Sequence, residues 1–198
     1  MDYTAYRETI KNRISIVMNE ESVSETDAFF CVAVNCLQEY GVVESVEKVL
    51  MEEDVKAGSK LIHIDGYSFD ETDHSVSLFI NDYDDSANPS SLNTQMVDRL
   101  YWRLFYFLET ACSPEPGKYL DKSSVAYMAA ILIRNRMNCV MTEPERILKI
   151  HLVIISNREL DTKLFSKDFF ETDQNKSRKK SSPKSRKKSN VRNFLGGL

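Results

Sequence analysis

The chain has 198 residues, 42% hydrophobic and 10% aromatic, enough for one domain of ordinary size around a core, plus a tail. No stretch approaches the roughly 18 apolar residues of a membrane span. The polar start MDYTAYRETIKNR lacks the apolar stretch of a secretory leader, so a cytoplasmic protein with no membrane partner is expected.

In chain order, Tyr6, Ile10, Ile14, Val17 and Met18 recur at helical spacing and predict an amphipathic helix over 3–18. A second helix is predicted from Ser24 to Tyr40. Ser24 is its N-cap, Asp27 takes the acidic place of a capping box, and Gly41 stops it. Ala28, Phe29, Cys31, Val32, Ala33, Cys36 and Leu37 spread over a broad apolar surface, so this helix should be well buried. Residues 46–52 (VEKVLME) alternate and read as a short strand, and AGSK at 57–60 as a turn. Leu61, Ile62, Ile64, Tyr67 and Phe69 mark one strand. Val76, Leu78, Phe79 and Ile80 mark a second that runs to Tyr83, and the turn-forming DETDH at 70–74 joins the two as a hairpin.

After a loop at 84–91, Val97, Leu100, Tyr101, Leu104, Phe105 and Leu108 predict a long helix over 91–111. The segment CSPEPGK at 112–118 ends it, and another helix covers 121–137. The apolar run at 146–156 predicts a strand in the centre of a sheet, and Asn157 to Phe165 a short last helix. A strand reached through a helical crossover usually runs parallel to its neighbour. The pattern therefore implies an α/β fold with a mixed central sheet flanked by helices, filling residues 1–170 as a single domain.

The net charge of −4 is unevenly divided: residues 176–198 hold nine Lys/Arg and no acid, leaving 17 bases against 30 acids in the rest. From about residue 171 the chain has little apolar surface to bury and repeats SRKKS at 177–181 and 185–189, so a disordered basic tail is expected. Lys179, Lys180, Arg186, Lys187 and Lys188 are its candidate nucleic-acid contacts, acting on phosphates without sequence preference. A nuclear targeting signal and an accident of truncation are the other readings of the same run. The four cysteines, Cys31, Cys36, Cys112 and Cys139, form no CxxC pair and read as thiols in a reducing compartment. The aromatic residues at 101–107 fit a helix core better than base stacking, and no phosphate-cradling glycine loop or GxSxG motif is present.

The hairpin is the most specific part of the sequence. Asp65-Gly66 stands on its first strand and Asp82 near the end of the second, in SLFINDYDD. A helix precedes these strands, and helices and a strand follow, an order that resembles the α-β-β-β-α-β restriction-endonuclease-like core of the PD-(D/E)XK nucleases. The string KLIHIDGYSFDETDHSVSLFINDYDD, with the later KIHLVIISNREL, also resembles the N-terminal domain of AIPR (abortive phage infection) proteins over about residues 20–165. Family members are several times longer, so the chain looks like such a domain cut short after Leu164-Phe165 and finished with an unrelated basic tail.

The resemblance implies a setting in phage defence and a nuclease-like fold. In such enzymes an Asp on the first strand and an acid or Gln on the second bind Mg²⁺, and a Lys two residues on activates water. Asp65 matches the first acid. Ile80 stands at the second ligand position and Asp82 where the Lys would be. The expectation is therefore a degenerate site, either inactive and without cofactor or rearranged, with Asp65 and Asp82 as both catalytic and metal-binding residues on Mg²⁺. Glu25 and Glu39 are further acids of the second helix. Against this, Asp65-Gly66 in a strand also reads as a bulge or a close backbone approach. The rival function is a non-enzymatic module that binds a protein partner and is tethered to nucleic acid by its tail.

Overall fold

A computed structural model describes residues 3–161, apart from 73, 87, 89 and 142–148. The basic tail and residues 162–165 of the expected last helix lie outside these residues.

Two helices open the chain, α1 (Tyr3–Glu21) and α2 (Glu25–Glu39). Ser24 caps α2: its Oγ accepts the Asp27 N–H at 3.1 Å and donates to Asp27 Oδ2 at 2.7 Å. At the other end Gly41 takes φ +66°, and the N–H groups of Gly41 and Val42 donate to the carbonyls of Gln38 and Leu37, a Schellman closure. Both signals are those read from the sequence.

The strands are β1 (Glu47–Lys48), β2 (Val55–Ala57), β3 (Lys60–Ile62), β4 (Gly66–Asp70), β5 (Ser75–Asp82) and β6 (Lys149–Ser156). They form a four-stranded sheet in the order β1-β4-β5-β6 and a separate β2-β3 hairpin turning through Gly58 at φ +68°. In the larger sheet β1, β4 and β5 are antiparallel neighbours, and β6 runs parallel to β5 with Ser75 opposite Lys149 and Asp82 opposite Ser156. Between β5 and β6 come α3 (Thr94–Ala111), a 3-10 turn at Pro116–Lys118, and α4 (Val125–Met141). The mixed sheet with a parallel last pair is the arrangement expected from the helical crossover.

Alternation of side chains along β5 divides the core in two. Val76, Leu78 and Ile80 pack with Leu100, Leu104 and Phe107 of α3 and Ala129 and Ile133 of α4. Phe79 faces the other way, into Ile14 of α1 and Phe29, Phe30 and Val34 of α2, with Ile155 of β6 beside it. The sheet is thus covered on both faces.

Four expectations are corrected. The strand expected over 61–69 is two strands in different sheets, because the chain leaves β3 and re-enters the large sheet only at Gly66. The strand expected over 46–52 pairs only at Glu47–Lys48, because Val49 and Leu50 both donate to the Asp65 carbonyl, at 2.9 and 3.1 Å, and Leu50 turns to φ +48°. Two residues facing one is a β-bulge, and it ends the pairing. The apolar strand β6 is not central: among the described residues its only neighbour in the sheet is β5. Its apolar run reflects coverage of both its faces, by Leu152 in one cluster and Ile155 in the other. Residues 157–161 are not helical, because Leu160 forms a parallel bridge to Leu92. The same bridge delays α3, whose N-cap is Asn93, its side chain accepting the Met96 N–H at 3.0 Å.

Candidate functional site

Asp65 lies at the point where the chain passes from one sheet to the other, and it is 5% exposed. Its N–H donates to the Phe79 carbonyl at 2.9 Å, and its carboxylate Oδ2 accepts the Asn81 N–H at 2.6 Å. A side-chain oxygen here takes the place of a ladder carbonyl where β4 and β5 part. The other oxygen, Oδ1, lies 3.1 Å from His63 Nε2, a hydrogen bond when that nitrogen carries the proton. His63 Nδ1 lies 3.2 Å from Asp54 Oδ1, within ion-pair range but off the hydrogen-bonding direction. Asp54 in turn meets Arg103 of α3 at 2.5 Å. A chain of polar contacts, Asp65–His63–Asp54–Arg103, thus ties the sheet junction to α3.

Gly66 follows because nothing larger fits. A Cβ there would stand 2.8 Å from Phe30 Cζ and 3.0 Å from both the Glu47 carbonyl oxygen and Val46 Cγ1. The close backbone approach read as the bland alternative for Asp65-Gly66 is therefore present, against α2.

Asp82 points to the α3 side of β5, as Ile80 does. Its Oδ2 accepts from Arg158 Nε at 2.8 Å and from Ser156 Oγ at 3.0 Å. Arg158 also donates through Nη1 to Asp84 Oδ2 at 2.5 Å and to Ser90 Oγ at 2.6 Å. Asn157 completes the clamp: its Oδ1 accepts the Asp84 N–H and its Nδ2 donates to the Asp84 carbonyl. The Ser86 hydroxyl and N–H, with Arg158 behind them, hold the Asp84 carboxyl below the usual carboxylate range. Arg158, Asp82 and Asp84 are 13%, 10% and 16% exposed in their side chains, so this network is largely shielded from water.

Both acids named from the sequence therefore stand at the same end of neighbouring strands, but each is turned to its own partner. On Asp65 both oxygens are engaged, and on Asp82 one oxygen accepts two donors. Across an antiparallel pair such diagonal positions are about 7–8 Å apart. A hard divalent cation needs several oxygens converging at about 2.0–2.6 Å, and among the described residues no group of three or more His, Cys, Asp or Glu could hold one. These residues do not fit Mg²⁺ as they are arranged. Glu25 accepts the Tyr83 hydroxyl at 2.6 Å, and Glu39 is exposed at the end of α2. Burial and then Glu25 push the Tyr83 hydroxyl above its ordinary value. Cys31 is buried, Cys36 half-buried and Cys112 exposed, all as free thiols. The tail residues Lys179, Lys180, Arg186, Lys187 and Lys188 lie outside the described residues.

Arg158, His63, Asp54 and Arg103 were not singled out in the sequence. Arg158 becomes visible only through the parallel register that sets Ser156 beside Asp82. No helix among the described residues is long and apolar enough to cross a membrane.

Fold and site together define a mixed α/β domain whose two candidate acids are built into hydrogen-bonded contacts around a strand junction. The chain matches the abortive infection phage resistance protein N-terminal domain (AIPR_N) over residues 29–178, and it belongs to that family. The match starts later than the resemblance drawn from the motifs and runs past Phe165. Neither a curated protein nor a solved structure matches the chain.

Proposed function

We propose that this AIPR N-terminal domain acts in phage defence by binding or regulation, and that it carries a nuclease-like site too degenerate to cleave. The observation that carries the reading is the commitment of the two acids. Asp65 serves the Asn81 N–H and His63, while Asp82 serves Arg158 and Ser156. Ile80, at the second ligand position, is buried among apolar side chains and offers no oxygen. The sheet order, with three antiparallel strands and a parallel fourth after the helices, supports descent from a nuclease-like core. A plasmid-nicking assay with Mg²⁺ and with Mn²⁺ tests this. The expected result is no metal-dependent nicking. Nicking that disappears in Asp65→Ala would show a working site and overturn the proposal.

The uneven charge favours a second reading, in which an acidic body binds a protein partner and the tail tethers it to nucleic acid. Replacing Lys179, Lys180, Arg186, Lys187 and Lys188 with Ala should then weaken DNA binding and flatten its salt dependence by up to about 4.5 in log–log slope. Unchanged affinity and slope would remove the tail as the tether.

A further inference from the structure

An open groove runs between residues 49–55 and the start of α4. Its floor is apolar, made by Val49, Leu50, Met51, Val55 and Leu120, and its rim is acidic, with Glu52, Glu53 and Asp121 exposed. Its volume of about 440 Å³ lies within the range of pockets that take a ligand-sized group, about 300–1,000 Å³. Val125, 57% exposed, stands at its lip, and Met128 and Leu132 continue the exposed apolar line along α4 at helical spacing. Such a continuous line is more than the scattered apolar exposure of an ordinary surface.

We infer that this groove docks the chain's own basic segment, residues 176–198. The chemistry is complementary on both counts. The segment carries nine Lys/Arg and no acid to face the acidic rim, and Val191, Phe194 and Leu195 stand beside Arg192 as apolar side chains for the floor. The intervening chain is long enough. From Asp161 to residue 176 it can span about 50 Å when extended, while a domain of this size has a radius of gyration of about 15 Å. Tethering also raises the segment's effective concentration to about the millimolar range, so a weak contact suffices. Docking withholds the same basic side chains from nucleic acid. The inference does not depend on the nuclease-like reading.

The test uses the full chain with ¹³C-methyl methionine, read at Met51 in the groove floor. At about 0.01 M salt, where charges act over about 30 Å, the Met51 methyl resonance should differ between the native chain and one with Lys179, Lys180, Arg186, Lys187 and Lys188 replaced by Glu. At about 1 M, where they act over about 3 Å, the two resonances should coincide. With Glu52→Lys and Glu53→Lys and the native tail, the Met51 resonance should no longer move with salt. A Met51 resonance indifferent to the tail substitutions overturns the proposal, as does a salt response that survives the rim substitutions. Should Met51 respond only to a separate peptide of residues 176–198, the groove takes basic peptides in trans and its assignment to the attached tail fails.

Discussion

Replacing Arg158 with Ala removes the guanidinium that holds Asp82 at 2.8 Å, Asp84 at 2.5 Å and the Ser90 hydroxyl at 2.6 Å. The loss leaves two carboxylates, 10% and 16% exposed, facing each other's surroundings without a cation. Breaking a buried pair by removing one partner costs about 3–5 kcal/mol. Ser156 still donates to Asp82 and Ser86 to Asp84, and some water reaches the site, so the lower end, about 3 kcal/mol, is expected here. For a domain of this size that corresponds to a fall in Tm of about 6–12 °C. Urea denaturation followed by far-UV circular dichroism measures it. The pH dependence is a second readout. Asp84 has a lowered folded-state pKa, so its contribution is present above the unfolded value near 3.8 and is lost as pH falls through the folded value. Arg158→Ala removes a smaller cause of that lowering and leaves the larger Ser86 hydrogen bonds in place, so the variant should lose slightly less stability than the native chain as pH falls below about 4. A cost under about 1 kcal/mol at neutral pH, the level of an exposed ion pair, would refute the view that Arg158 anchors the end of β5 to the end of β6.

Three further outcomes follow from the geometry. Gly66→Ala should cost about 1–3 kcal/mol by forcing Phe30 and the Glu47 carbonyl apart, measurable by the same denaturation; a neutral result would mean that α2 yields freely. Asp65→Ala should cost about 2–3 kcal/mol by leaving the Asn81 N–H without its acceptor, while Asp65→Asn, which keeps an oxygen there, should cost clearly less. Equal losses in the two variants would argue against the hydrogen bond as the cause. Tyr83 has a raised pKa, so its contribution is complete below about pH 10 and is lost as pH rises toward the folded value. In an alkaline denaturation series the native chain should weaken above pH 10, and Tyr83→Phe should lack that component.

The sequence carried those features whose cause is local. Ser24 and Gly41 mark the ends of α2 because capping needs only residues three or four apart. The β4–β5 hairpin was readable from alternation and turn residues, and Gly66 from its lack of a side chain. What remained hidden depends on partners distant in the chain. Ile62 and Ile64 are both buried, so the apolar alternation runs straight through the switch of sheets and does not reveal it. An apolar run such as β6 reports that both faces are covered, which an edge strand between two helical layers satisfies as well as a central one. The Arg158 clamp joins residues more than seventy positions apart, through a register no motif encodes. For the site, the motifs identified Asp65 and Asp82 but not the groups that occupy them.

The Asp65-Gly66 pair also has a bearing on how the hairpin finds its alignment. Sliding β4 by one residue in one direction would drive the Asp65 carboxylate into the Phe30 ring, and sliding it in the other would leave the Asn81 N–H facing a glycine with nothing to offer it. Two adjacent residues, one the smallest and one charged, thus penalise misaligned pairings from opposite sides. The single alignment that suits both acts as a checkpoint in assembly, set where the two sheets meet.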